Sequence, residues 1–166
     1  PRQIRSMTRV VEIFCNQGRA TDAQPLAEQA LQLSRGVADR KLQADSLEAI
    51  GATYIYLSDF VHAQDYYEQA LTLYRELGDR AGQAQCLRRL GWVAGDTGNL
   101  ALAKDYQRTA LALYREIGDR IGEVRALNML ALASMDYADQ RAYEEEALEI
   151  ARAVGSLDGQ ALMYGN

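Results

Sequence analysis

Histidine and tryptophan occur once each in this 166-residue chain, and cysteine, proline and phenylalanine twice each. One imidazole and two thiols are too few for a zinc or other soft-metal cluster, so no metal site is expected. Two prolines and few β-branched residues argue against a sheet protein. Basic residues are outnumbered, 18 Lys and Arg against 23 Asp and Glu, for a net charge of −5. Phosphate contact needs a basic face, so no nucleic acid is expected on this segment. No apolar run approaches the roughly 18–20 residues that span a bilayer, and no signal-peptide pattern opens the chain, so no membrane contact is expected.

Chemistry-bearing motifs are missing as well. The sequence contains no G-x-x-x-x-G-K-[ST], H-E-x-x-H, C-x-x-C or G-x-S-x-G. Gly91, Gly95 and Gly98 have the wrong spacing for a dinucleotide fingerprint, and no strand precedes them. No catalytic residue and no cofactor is therefore assigned, and the segment is read as non-enzymatic. His62 falls at the start of a helix, as a solvated or capping residue. Cys15 and Cys86 lie two repeats apart, too distant to bridge. They are read as buried or half-buried free thiols in a reducing, cytoplasmic setting.

What is present in quantity is Ala, Leu, Gln, Glu and Arg, the strong helix formers, and they are arranged in a repeat. Leu73-Tyr74-Arg75-Glu76-Leu77-Gly78-Asp79-Arg80 returns forty positions later as Leu113-Tyr114-Arg115-Glu116-Ile117-Gly118-Asp119-Arg120. Leu33, Arg35, Asp39 and Arg40 keep the register forty positions earlier. Ala147-Leu148, followed by Gly155, continues it three residues early. The chain therefore reads as one solenoid over 1–166, with units 1–40, 41–80, 81–120 and 121–157 and a truncated start of a fifth at 158–166. Ala161–Asn166 resembles the opening of another first helix, and no polar capping helix is visible. Together with Pro1 in place of Met, this points to a piece of a larger parent or to association through uncapped repeat ends.

Within each unit the apolar spacing predicts two helices. Leu47, Ile50, Gly51 and Tyr54 make one face, and Ala63, Tyr67, Ala70, Leu71 and Tyr74 make the stripe of a second helix. Gly18, Gly78, Gly98 and Gly118 suit left-handed residues ending helices. Asp39, Asp79 and Asp119 stand where an N-cap accepts backbone N–H groups.

These residues resemble the tetratricopeptide repeat (TPR) family. Leu47-x2-Ile50-Gly51-x2-Tyr54…Ala63-x3-Tyr67-x2-Ala70 follows its consensus W-x2-L-G-x2-Y…A-x3-F…A. Leu87-x2-Leu90-Gly91…Ala103…Ala110 and Met7-x2-Val10-Val11-x2-Phe14…Ala23…Ala30 are further matches. Leu127-x2-Leu130-Ala131…Ala147 is a fourth, with a shortened turn between its helices. The forty-residue period, and Arg35, Arg75 and Arg115 in place of the late proline, resemble a long-helix subclass found in MalT-type regulators and LGN-like adaptors. The resemblance implies an all-α, right-handed superhelical α-solenoid of stacked antiparallel helix pairs.

It also implies a concave groove lined by the first helices. Carried over, the groove positions are Arg5, Thr8, Glu12, Cys15 and Asn16 in the first unit and Asp45, Glu48, Ala52, Ile55 and Tyr56 in the second. The third unit gives Gln85, Arg88, Trp92, Gly95 and Asp96, with Arg89 beside them. The fourth gives Arg125, Asn128, Leu132, Met135 and Asp136. An acidic stretch of a peptide would sit on Arg88 and Arg125 and an apolar side chain against Trp92. The opposing reading has Glu48, Arg88 and Arg125 paired with one another as structural ion pairs, with Trp92 packing across the stack. The expected function is a protein-interaction scaffold for a peptide or partner domain, inside a signalling or regulatory protein. The alternative is a MalT-type domain that senses a small effector and controls an attached ATPase or DNA-binding domain.

Overall fold

A computed structural model of the chain describes residues 1–155. Among these residues there are eight α-helices and no strand: α1 (Arg2–Asn16), α2 (Ala20–Arg35), α3 (Arg40–Tyr56), α4 (Phe60–Glu76), α5 (Arg80–Asp96), α6 (Leu100–Ile117), α7 (Arg120–Leu132) and α8 (Tyr137–Val154). The chain divides into two compact units, Pro1–Gly82 and Gln83 onward. In the first, α3 packs against α1, α2 and α4; in the second, α7 packs against α6 and α8. Each is a stack of antiparallel helix pairs, the TPR-like arrangement. No helix of the described residues is long and apolar enough to cross a membrane. The sequence 158–166, read as the start of a fifth repeat, lies outside the described residues.

The helices end and begin through one recurrent device. Gly18, Gly78, Gly98 and Gly118 are left-handed, with φ of 72°, 67°, 86° and 71°. The next residue then donates its N–H back five positions: Arg19 to Phe14, Asp79 to Tyr74, Asn99 to Ala94 and Asp119 to Tyr114, at 2.8–2.9 Å. Where that residue is Asp or Asn, its side chain also caps the next helix. Asp79 accepts from the Gly82 N–H, Asn99 from Leu102 and Asp119 from Gly122. A single residue thus closes one helix and opens the next. Ser58 occupies the left-handed position between α3 and α4, with φ of 60°, where the first and third repeats have glycine.

Small residues hold the helices close, as the consensus requires. Ala23, Ala27, Ala30, Ala63, Ala70, Ala103 and Ala110 are fully or almost fully buried. A methyl group added at Gly51 would meet the Tyr67 ring at 3.2 Å, and one at Gly91 would meet the Gln107 amide at 2.5 Å. A tighter fit joins successive repeats and was not apparent from the consensus. The Tyr74 ring of α4 lies flat over Gly82 of α5, 2.5 Å from where a Cβ would be. Tyr114 of α6 covers Gly122 of α7 in the same way. Between α2 and α3 the same two positions hold Ser34 and Leu42, both fully buried. The large side chain has changed sides of the junction.

The fourth repeat is built differently from the sequence expectation. Its missing residues come out of the first helix rather than out of the turn after it. The helix α7 has 13 residues, against 17 in α3 and α5. The chain then turns through Ala133–Met135, with the Ser134 hydroxyl on the Leu130 carbonyl at 2.7 Å. Asp136 starts α8 by accepting from the Ala138 and Asp139 N–H groups. This early stop leaves Leu132, Met135 and Tyr137 at 74%, 89% and 75% exposure.

A left-handed L-residue costs roughly 1–2 kcal/mol relative to glycine, part of which glycine returns as unfolded-state entropy. Ser58→Gly should therefore stabilise the chain by about 0.5–1 kcal/mol, read as a higher denaturant midpoint at unchanged slope. A lower midpoint would show that the Ser58 side chain contributes more than its backbone costs.

Candidate functional site

The first-helix face of the Pro1–Gly82 unit is set by Tyr74. Its hydroxyl lies 2.9 Å from the Asp45 Oδ1 and 2.9 Å from the Glu48 Oε2. Burial, then the two carboxylates, raise the Tyr74 phenol far above its ordinary range, so it remains a donor at every accessible pH. Lys41 completes the group. Its ammonium is 3.0 Å from Asp45, 2.5 Å from Asp79 and 4.4 Å above the centre of the Tyr74 ring. Asp45 and Glu48, offered by sequence as ligand-facing acids, are thus tied to the α4 helix. Cys15 and Ile55, carried over as groove positions, are buried at 2% and 7% exposure. The Cys15 thiol lies 3.7 Å from the Thr53 hydroxyl, inside the helix stack. Glu12, Asn16 and Tyr56 are exposed, and the Tyr56 hydroxyl donates to Asn16 Oδ1 at 3.2 Å.

In the second unit the same scaffold carries the opposite charge. Arg88 stands where Glu48 stood, and its guanidinium meets the hydroxyl of Tyr114, the counterpart of Tyr74. A phenol both donates and accepts, so one tyrosine position serves a carboxylate pair in one repeat and a guanidinium in the next. Burial holds the Arg88 guanidinium below its usual range, and the neighbouring Arg89 and Arg125 add to the effect. Its Nε is buried with no hydrogen-bond partner. A guanidinium does not shed its proton in proteins, so the cost stands as an uncompensated charge. Within this unit Arg88, Arg89 and Arg125 make no ion pair among the described residues. In the first unit Glu48 is engaged with Tyr74.

The same unit has a hollow. About 200 Å³ of space is lined by Trp92, Gly95 and Asp96 of α5, Leu100 of α6, and Met129, Leu132 and Ala133 at the end of α7. Arg125 and Asp96 are exposed, and Arg89, Trp92 and Asn128 half-buried. Gln85 is exposed at the start of this face. Gln107, which replaces the consensus aromatic, is fully buried and donates to the Arg88 carbonyl at 2.8 Å. Arg88, Arg89 and Arg125 are thus near enough to repel one another, and Trp92 lines the hollow.

Repeats of helix pairs whose glycines receive aromatic rings, joined by glycine–aspartate turns, define a helical-repeat interaction fold. The chain belongs to the tetratricopeptide repeat family, whose model matches residues 3–76 and 63–116. Several solved structures share the fold. Aspartyl phosphate phosphatase F from Bacillus subtilis has a TM-score of 0.87 at 11% identity, over 97% of this chain and 44% of that one. The apo form of RapI has a TM-score of 0.86 at 13% identity, over 98% of this chain and 60% of that one. A signal transduction ATPase with numerous domains, which has a tetratricopeptide repeat sensor and comes from Pyrococcus horikoshii, has a TM-score of 0.76 at 16% identity. That match covers 86% of this chain and 23% of that one. The chain thus spans less than two thirds of each of these proteins. No curated protein matches the sequence significantly.

The acidic cluster of the first unit makes a pH prediction. Burial pushes the Asp79 carboxyl up, but the Gly82 N–H and the Lys41 ammonium outweigh it, and Asp79 is held below the usual carboxylate range. A depressed folded-state value contributes stability above the unfolded value near 4 and loses it as pH falls through the folded one. Asp79→Asn keeps the cap and removes the charge. It should be less stable than wild type at pH 7 and converge with it by about pH 2–3 in denaturant titrations. A pH-independent difference would show that the Lys41–Asp79 pair contributes nothing beyond the cap.

Proposed function

We propose that this chain is a protein-interaction scaffold that takes a peptide or partner segment on the first-helix face of its repeats, as part of a larger signalling or regulatory protein. The observation that carries this reading is the uncompensated arginine set of the second unit, Arg88, Arg89 and Arg125, beside the apolar hollow at Trp92. Buried charge without a counter-ion is costly. An interface anchor combines an aromatic side chain, arginine and a fillable pocket. The groove residues proposed for contact are Glu12, Asn16 and Tyr56 in the first unit. In the second they are Gln85, Arg88, Arg89, Trp92, Asp96, Arg125 and Asn128. Asp45 and Glu48 act through the Tyr74 bond, as residues that shape the face. The long forty-residue subclass, with its MalT-like and LGN-like members, remains the subfamily we assign. A regulatory parent is supported by the sensor repeats of the Pyrococcus horikoshii protein.

The effector-sensing alternative is less well supported. Small-molecule sites enclose roughly 300–1,000 Å³, whereas the hollow here holds about 200 Å³ and is open. Peptides selected from a random displayed library against the full chain should protect amides of α5 and α7 from hydrogen exchange and leave those of α6 and α8 unchanged. Protection confined to α6 and α8 would move the binding surface to the other face.

A further inference from the structure

The proposed face has a polarity along its axis that defines the ligand more closely. Arg88 and Arg89 lie three to four residues before Trp92 on α5, and Arg125 lies seven before Leu132 on α7. At about 1.5 Å per helical residue, the first step is roughly 5–6 Å and the second roughly 10 Å. Trp92 and Leu132 occupy equivalent repeat positions, forty residues apart, and both line the hollow. The face therefore presents an outer basic row, an inner basic row and then an apolar well, at successive heights. An extended chain advances about 3.3 Å per residue. Side chains alternate along it, so the residues two and four places from the anchor face the same side: two residues span the inner step, and four reach the outer one on the neighbouring helix.

The well is of side-chain size. A cavity of about 150 Å³ lined by aliphatic and aromatic residues accommodates benzene; this one, at about 200 Å³, admits a single aromatic ring or large aliphatic group. The helix α7 is four residues shorter than α5, and the walls of the well come from the last turn of α5, the start of α6 and the end of α7. Leu132, which lines it, is 74% exposed, and a chain seated there would cover it. Asp96, also in its lining, disfavours further acidic residues beside the anchor.

We infer that the second unit is a docking site for an extended acidic segment of a partner protein, in which one large apolar side chain fills the well at Trp92 and Leu132 and carboxylates two and four residues away, on the same side of the extended chain, pair with Arg88 or Arg89 and with Arg125. This rests on the scaffold reading of the same face and adds the ligand's charge, anchor and spacing to it. The arginine rows disfavour basic peptides as occupants.

Trp92 is the sole tryptophan of the chain, so its fluorescence reports on the well alone. Capped synthetic peptides carrying Phe with Glu two and four residues before it should be titrated into the full chain. Matched peptides would have Lys for Glu, Ala for Phe, or both Glu moved six residues from the Phe. The first peptide should shift Trp92 emission and bind about tenfold or more tightly than each of the others, with affinity falling as salt rises. Arg89→Glu and Arg125→Glu, both on accessible side chains, should each weaken it and leave the circular dichroism unchanged. Equal binding of the Glu and Lys peptides, indifference to the spacing, or silent Trp92 emission would overturn the inference. Should selected library peptides still protect α5 and α7 in that case, the scaffold reading stands and only the ligand assigned here fails.

Discussion

The packing of a tyrosine ring onto a glycine backbone is the contact on which the rest of this structure depends. Tyr74 covers Gly82 and Tyr114 covers Gly122, each so closely that a methyl group would not fit. The ring brings one repeat's second helix onto the next repeat's first helix, and both tyrosines are almost fully buried. Burying an aromatic side chain is worth a few kcal/mol. The ion pairs Arg40–Glu76, between α3 and α4, and Arg115–Glu146, between α6 and α8, are about half exposed and contribute about 0–1 kcal/mol each. Ring burial, not charge, fixes the repeat spacing.

The same tyrosines connect that packing to function. Fixed by the ring, the hydroxyl emerges at the first-helix face, where it can donate or accept. In the first unit it donates to Asp45 and Glu48, which Lys41 further neutralises. In the second it meets Arg88, and no carboxylate of that unit follows. The two units therefore have the same backbone plan and different electrostatic states: one face satisfied internally, the other left with positive charge next to an apolar well. The hollow at Trp92 lies in that same unit, so the contact chemistry and the space arise together.

Much of this was legible in the sequence because it depends on local chemistry. The glycines with positive φ and the aspartate caps are properties of four or five consecutive residues, and Gly51 and Gly91 sit in a known consensus. Gly82 and Gly122 were harder. Lying three residues after Asp79 and Asp119, they read as part of a helix start, and their role is set by a ring eight residues upstream. The available signal was the paired change of Ser34 and Leu42 into Tyr74 and Gly82, and again into Tyr114 and Gly122. Cys15 and Ile55 were carried to the groove by position alone, whereas their apolar character suits the buried side they occupy. The four residues missing from α7 could not be placed, because Leu132 and Met135 continue an apolar helical pattern through the point where the helix stops. Asp45 and Glu48 looked like free acids, since a partner on another helix leaves no trace in local sequence.

The central claim is that the residue pair at each junction is chosen for fit, with one large and one small side chain. A double-mutant cycle on Tyr114→Ser and Gly122→Leu, which copies the Ser34 and Leu42 pair, tests it most directly. Each single change should destabilise the chain in chemical denaturation, the first by leaving a cavity and the second by overpacking. Combined, they should recover much of the loss, with a coupling of about 2 kcal/mol or more. Losses that simply add, within about 0.5 kcal/mol, would contradict the account.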